Sequence, residues 1–339
     1  MLLKELAALR APSGLEDEAR AAIRREAEEI LKDRGEVFAD TMGNLYAVRK
    51  GTDANKRRVM LCAHMDEPGF IVRFATEEGL IKFDTVGRPD PRALICARVQ
   101  AGKDAVPGVI GCKAVHLMTE AEEKAAPTVD SLSIDVGASS REEAERLCPK
   151  GTYATADVAY REFGDGFVKM KAIGSRAGCM ILLDALRGSD YAGDLICAFT
   201  VQKEVGLRGA KVAAKRVKPD AAIVIDAVCA NDMGDTKVHM QGTQCGKGAA
   251  VACMDRGMVA DRPLRELALA VAAERDIPAQ LSRQMGGGTD AGAIHLAQAG
   301  VPCLSLGIPC RYADTPANVA KLTDIDAARR LTLAVLSAM

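Results

Sequence analysis

The sequence predicts an α/β sandwich around a mostly parallel mixed sheet, interrupted by a β-rich insertion. Two observations carry this. At both ends of the chain, apolar runs of strand length alternate with amphipathic runs of helix length, the pattern of a sheet covered by helices. From about residue 70 to 165 the texture changes to short alternating runs such as "FIVRFA", "LIKFDTVG", "ALICARVQ" and "GVIGCKAV", punctuated by Gly, Pro and Asp. The expected organisation is a discontinuous α/β domain, residues 1–69 and 166–339, with an inserted domain at 70–165.

The elements run in order along the chain. "PSGLEDEARAAIRREAEEILKDRG" reads as a helix with Ser13 as N-cap and Glu16 completing a capping box, stopped at Gly35. "RRVMLCAH" (57–64) reads as a buried strand. The insertion carries one expected helix, "SREEAERL" (140–147). After it come a helix at 176–188, strands at 194–202 and 220–226, a helix at 262–276 and a strand at 279–284. "GGGTDAGAIHLAQAG" then opens a helix, "VPCLSLG" (301–307) is a strand, and "DIDAARRLTLAVLSAM" is the final helix.

Composition narrows the function classes. With 339 residues, 48% of them hydrophobic, the chain can bury a large core. Lys plus Arg number 45 against 46 Asp plus Glu, so no basic surface for nucleic acid is expected. Aromatics at 4% and the absence of Trp argue against base stacking. The apolar run "AAIVIDAVCA" is broken by Asp226 well short of a membrane span, and "MLLKELAALRAPSG" reads as an amphipathic helix, not a signal peptide. Eleven cysteines, none in a Cys-x-x-Cys pair, suit small buried hydrophobes in a reducing compartment, so a cytoplasmic location is expected.

In open α/β sheets, sites form at the carboxyl ends of strands. Here one strand ends at His64, with Asp66 two residues on; another at Lys203 and Glu204; a third at Asp226; a fourth leads to Asp314. One imidazole and several carboxylates make a set suited to zinc or a similar divalent ion, with Asp66 able to hold the second ring nitrogen of His64. His116 and His239 have no such acidic partner in sequence, and His295 sits inside the expected helix "AGAIHLAQAG", so all three are expected to be structural. Gly286, Gly287 and Gly288 suit a tight strand-to-helix turn, and Asp290 is either a helix-start residue or part of a substrate pocket.

The segments "APSGLEDEAR", "AHMDEPGFIV", "VGRPDPR", "IDVGASSREEAE", "VQKEVGLRGA", "GGGTDAGAIH" and "GIPCRYADTP" together resemble the glutamyl and tetrahedral aminopeptidases, co-catalytic zinc peptidases of bacteria and archaea. The resemblance implies an α/β peptidase domain with an inserted β-barrel-like assembly domain, peptide substrates, and self-association from dimers up to twelve subunits. It implies metal ligation by His64, Glu204 and Asp226, with Asp66 supporting His64. Three positions depart from the family pattern. Lys203 replaces the general-base glutamate, Gly174 stands where an aspartate bridges the two ions, and Asp314 replaces the last histidine ligand.

A two-ion hydrolase needs a carboxylate between its ions and a base for the attacking water. Gly174 offers no bridge. A charged Lys203 accepts no proton, and two like unit charges ~4 Å apart repel by about 4 kcal/mol at an effective dielectric of ~20. The implied cofactor is therefore one zinc, cobalt or manganese ion per chain at most, or none. The expected function is that of an aminopeptidase relative, weakly active or inactive, which binds peptides or serves as a scaffold. The alternatives are a hydrolase with a mononuclear or rearranged site, in which a desolvated Lys203 of lowered pKa is the base, and an ordinary aminopeptidase compensated by other residues.

Overall fold

The computed structural model of the protein describes residues 2–282 and 287–339. The chain opens with helices α1 (Leu3–Ala8) and α2 (Asp17–Leu31) and strands β1 (Gly35–Ala39), β2 (Leu45–Arg49) and β3 (Val59–His64). Then come β4 (Gly69–Ala75), β5 (Ile81–Val86), β6 (Arg98–Ala101), β7 (Val106–Cys112), α3 (Glu120–Lys124), β8 (Leu132–Asp135), α4 (Arg141–Leu147) and β9 (Tyr153–Ala156). The rest comprises β10 (Arg161–Phe163), β11 (Phe167–Met170), α5 (Ile173–Gly188), β12 (Leu195–Thr200), α6 (Arg208–Val217), β13 (Ala221–Cys229) and β14 (Ala249–Ala252). It ends with α7 (Arg262–Glu274), β15 (Ala279–Ser282), α8 (Ala291–Ile294), β16 (Cys303–Arg311), β17 (Asn318–Lys321) and α9 (Leu322–Ala338).

An eleven-stranded sheet runs β1-β2-β12-β3-β13-β16-β17-β11-β10, with β14 also on β16 and β15 beyond it. Its centre, β12-β3-β13-β16, is parallel, and every residue of β3 and β12 is buried. Strands covered on both faces must be apolar throughout, which is why they read as continuous runs. The flanks are antiparallel, so parallel pairing is confined to the centre and to β14–β15. Helix α5 packs on β3 and β13 beside α1, α2 and α9, while α6 packs on β12 beside α8. Helix α2 buries Ala19, Ile23, Ala27, Ile30 and Leu31, one stripe at helical spacing.

The insertion closes into a barrel, β4-β5-β8-β7-β6-β9. It has its own core, including Phe70, Val72, Ile81, Phe83, Val99, Ile110 and Ile134. Phe70 and Phe83 meet edge to face with centroids 5.1 Å apart. Strand β10 falls inside the expected 70–165 segment but pairs with β11 in the large sheet.

Several expectations need correction. The Ser13–Glu16 capping box does not form: α2 starts at Asp17 with no side-chain cap, because both residues are recruited elsewhere. The insertion has two helices, not one; Thr119 caps α3 by accepting from the Glu122 amide. Strand β13 runs three residues past Asp226, held by pairing with β16 as far as Cys229–Cys310. The helix expected after the glycine run is only Ala291–Ile294, and Gly286 lies outside the described residues. No helix among the described residues is long and apolar enough to cross a membrane.

Phe83 is 1% exposed and central to the barrel core. Phe83→Ala is expected to cost about 3–5 kcal/mol by the usual scale for large aromatic truncations, read as a lowered midpoint in denaturant titration.

Candidate functional site

Because β3, β12, β13 and β16 run the same way, their carboxyl ends meet along one edge. A cavity of about 960 Å³ lies there, walled by the sheet ends on one side and by Phe70, Thr85 and Leu94 of the insertion on the other. His64, Asp66, Lys203, Glu204, Asp226, Asp314 and Gly174 all line it.

Asp66 organises the floor. It is fully buried, and its carboxylate accepts the Lys203 amide at 3.0 Å, the Glu204 amide at 3.0 Å and the Ser13 hydroxyl at 2.6 Å. Its Oδ1 also lies 3.3 Å from His64 Nδ1. Burial alone would raise its pKa, but these bonds hold it below the usual carboxylate range. Glu16 ties down the same turn by accepting the Gln202 amide at 3.1 Å. The missing cap of α2 is thus explained: Ser13 and Glu16 commit their oxygens to the site.

His64 is held on both sides, with Nε2 3.3 Å from Asp226 Oδ1. Burial and the Lys203 charge work against protonation, but Asp226 and Asp66 outweigh them and push the imidazole up to about 10. Lys203 Nζ lies 3.0 Å from Glu204 Oε1 and 3.4 Å from Asp226 Oδ2. Burial again opposes the charge, and Asp226 and Glu204 again prevail, so the ammonium sits well above the usual lysine range. This is opposite to the lowered value that a lysine base requires. Asp226 is held well below the carboxylate range: burial raises it, and Lys203 and His64 overcome that.

A second buried ionic group adjoins the first. Glu67 Oε1 lies 2.9 Å from Lys171 Nζ and 3.1 Å from Arg176. Asp66, Glu67, Glu204 and Asp226 thus lie against His64, Lys171, Arg176 and Lys203, while Glu16 and Asp290, buried beside them, have no ion pair among the described residues. Sequence reasoning missed Glu67, Lys171 and Arg176; the signal was Glu67 directly after Asp66, and charges flanking Gly174 in "KAIGSR".

Gly174 is the second residue of α5, whose positive end lies against Asp226. A Cβ at 174 would lie 2.5 Å from Asp226 Oδ1 and 2.5 Å from the Ala227 amide nitrogen. The site has no room for a side chain there unless backbone moves. Asp314 is an exposed wall residue whose carboxylate makes no described bond to His64, Asp226 or Lys203; its carbonyl accepts the Asp90 amide at 3.1 Å. Asp290 is 1% exposed and does not line the cavity among the described residues. Its Oδ2 accepts from Thr200 and Cys62, its Oδ1 has no partner among the described residues, and burial pushes it up to about 6. It stands at the start of α8, where its carbonyl accepts the Ala293 and Ile294 amides, but its side chain makes no cap hydrogen bond. Among the described residues, no three His, Cys, Asp or Glu side chains are grouped so as to hold a metal ion.

The family model for M42 glutamyl aminopeptidases matches residues 43–331. The chain belongs to the M42 glutamyl aminopeptidase family. A putative aminopeptidase of Acetivibrio thermocellus is 35% identical, covering 97% of this chain and 96% of its own. The solved aminopeptidase APDkam598 of the archaeon Desulfurococcus kamchatkensis superposes with a TM-score of 0.93 at 32% identity, over 99% of this chain and 94% of its own. The Pyrococcus horikoshii TET1 peptidase, described as assembling into a tetrahedron or a large octahedral shell, gives 0.84 at 31% identity, over 98% and 97%. The M42 fold thus accounts for both the sheet and the barrel.

A raised histidine stabilises the fold fully below its unfolded value of 6.5, and the contribution disappears as pH climbs towards about 10. The His64 ring is therefore expected to remain protonated at pH 8 by 15N NMR. Stability to denaturant should fall between pH 6.5 and about 10 more steeply than in His64→Gln.

Proposed function

We propose that this M42 chain keeps the peptide pocket of its family but does not hold the pair of divalent ions, and so is weakly active or inactive as an aminopeptidase. The observation that carries this is Lys203, whose ammonium sits between Glu204 and Asp226 at 3.0 and 3.4 Å. Two of the carboxylates that a metal would need are already neutralised by a cation of the chain itself. The residues do not fit two ions in other respects either. Gly174 has no side chain and no room for one, both ring nitrogens of His64 face carboxylates, and Asp314 stands apart on the wall. In this reading Glu204, whose Oε1 is taken by Lys203 and whose Oε2 has no partner among the described residues, receives the amino end of a peptide through that second oxygen.

The test is direct. Purified protein with added zinc, cobalt or manganese is expected to show no chelator-sensitive turnover of aminoacyl-nitroanilides. Two bound ions per chain with brisk turnover would sink the proposal. The double variant Lys203→Glu, Gly174→Asp is expected not to restore two-ion binding by elemental analysis, because the new Cβ meets the Ala227 backbone. It should also lose roughly 1–3 kcal/mol of stability through overpacking.

The reading includes self-association through the barrel, in a cytoplasmic setting suited to unpaired cysteines. Its support is the exposure of Val115 (69%) and Leu117 (62%) on the insertion, beside the assembly described for the Pyrococcus horikoshii protein. Light scattering should give a mass that is a multiple of 35.8 kDa, reduced by the paired change Val115→Asp and Leu117→Asp. A monomer at every concentration would count against it.

A further inference from the structure

Two cations on the cavity wall make no ion pair among the described residues, although the wall also carries the carboxylates of Asp255 and Asp314. Arg88 and Arg256 both line the cavity and are exposed, and among the described residues neither guanidinium has a hydrogen bond or ion pair. Each is nevertheless carried on a fixed turn. Arg88 comes directly after Gly87, which adopts φ +95°, a conformation that favours glycine. A Cβ at Gly87 would lie 3.2 Å from Glu204 Cβ, so the turn rests on the site itself. Pro89 and Pro91 stiffen the next residues of the loop, and the Asp90 amide donates to the Asp314 carbonyl at 3.1 Å.

Arg256 sits in a turn folded around Asp255, whose Oδ1 accepts the Gly257 and Met258 amides at 2.7 and 2.8 Å. The Arg256 amide itself donates to the Gly287 carbonyl at 3.0 Å. Two planar, permanently charged forks are therefore carried on tied-down backbone at the cavity wall, without an acceptor among the described residues. Guanidinium groups match carboxylates in shape, and fixing the turn in advance removes part of the ordering cost of binding.

We infer that Arg88 and Arg256 receive a carboxylate of the bound ligand, giving the cavity an anion-reading rim above the amine-reading floor. The inference rests on the reading of the cavity as a peptide site. The carboxylate is either the free C-terminus of a short peptide or an acidic side chain within it; Asp314, with no ion pair among the described residues, disfavours anionic groups that stray towards it on the same wall.

Isothermal titration of the full chain tests this with tetra-alanine in four forms: both ends free, C-amidated, N-acetylated, and both blocked. A second pair, Ala-Ala-Glu-Ala amide and Ala-Ala-Gln-Ala amide, isolates the side-chain source. The expected result is at least tenfold weaker binding on amidation, or on Glu-to-Gln exchange, with the difference abolished in Arg88→Gln and reduced in Arg256→Gln. Both positions are exposed, so the variants should melt like the wild type. Equal binding of charged and neutral forms overturns the inference, as does a carboxylate preference that survives in both variants. N-acetylation reports separately: no effect there, with amidation still harmful, would defeat the amine-reading floor and leave the rim standing. Binding by none of the forms would overturn both.

Discussion

The carboxylate of Asp66 is the constraint on which the site depends. It is fully buried, so it must collect donors or remain protonated. It collects them from three separate segments: the Ser13 hydroxyl, the His64 ring, and the paired amides of Lys203 and Glu204. Those bonds fix where the turn after β12 leaves the sheet. The turn in turn decides that the Lys203 side chain points between Glu204 and Asp226.

Once Lys203 points there, the rest of the charge arrangement is set. A divalent ion concentrates two charges and requires several ligands converging on one point. An ammonium carries one charge, brings three donors and is tethered to the chain. It can satisfy Glu204 and Asp226 from one side while His64 satisfies Asp226 and Asp66 from the other. Burying such a network is costly unless every member is paired. The pairing of Asp66, Glu67, Glu204 and Asp226 with His64, Lys171, Arg176 and Lys203 offsets much of that cost. The glycine at 174 belongs to the same arrangement, since it lets α5 bring its positive end against Asp226.

The barrel does more than add a second core. Its β5 end turns at Gly87 directly onto Glu204, and the loop beyond is bonded to the segment carrying Asp314. The cavity is therefore built between the two parts of the chain, a common place for ligand sites. Its floor comes from the sheet and part of its wall from the insertion.

The sequence alone determined the alternation of strands and helices, the β-rich insertion and the resemblance that the M42 match bears out. Those signals are local: burial on both faces of β3 and β12 demands unbroken apolar runs, and one exposed face of a barrel strand demands alternation. It also named His64, Asp66, Lys203 and Glu204, because strand ends can be read from where apolar runs stop, and Asp226, a charge breaking an apolar run, although β13 continues three residues beyond it. Only the tertiary structure decided what these groups do to one another. Ser13 and Glu16 have the spacing of a capping box, yet they turn to Asp66 and Gln202, residues far away in sequence. Burial by itself lowers a lysine, yet Lys203 is raised, because the sign depends on two carboxylates delivered by different segments. Asp314 has the residue type of a ligand but lies on the wall, and nothing in "RYADTP" fixes that distance. Long-range electrostatics and close packing are properties of positions in space, and a string of residues does not contain them until the sheet has formed.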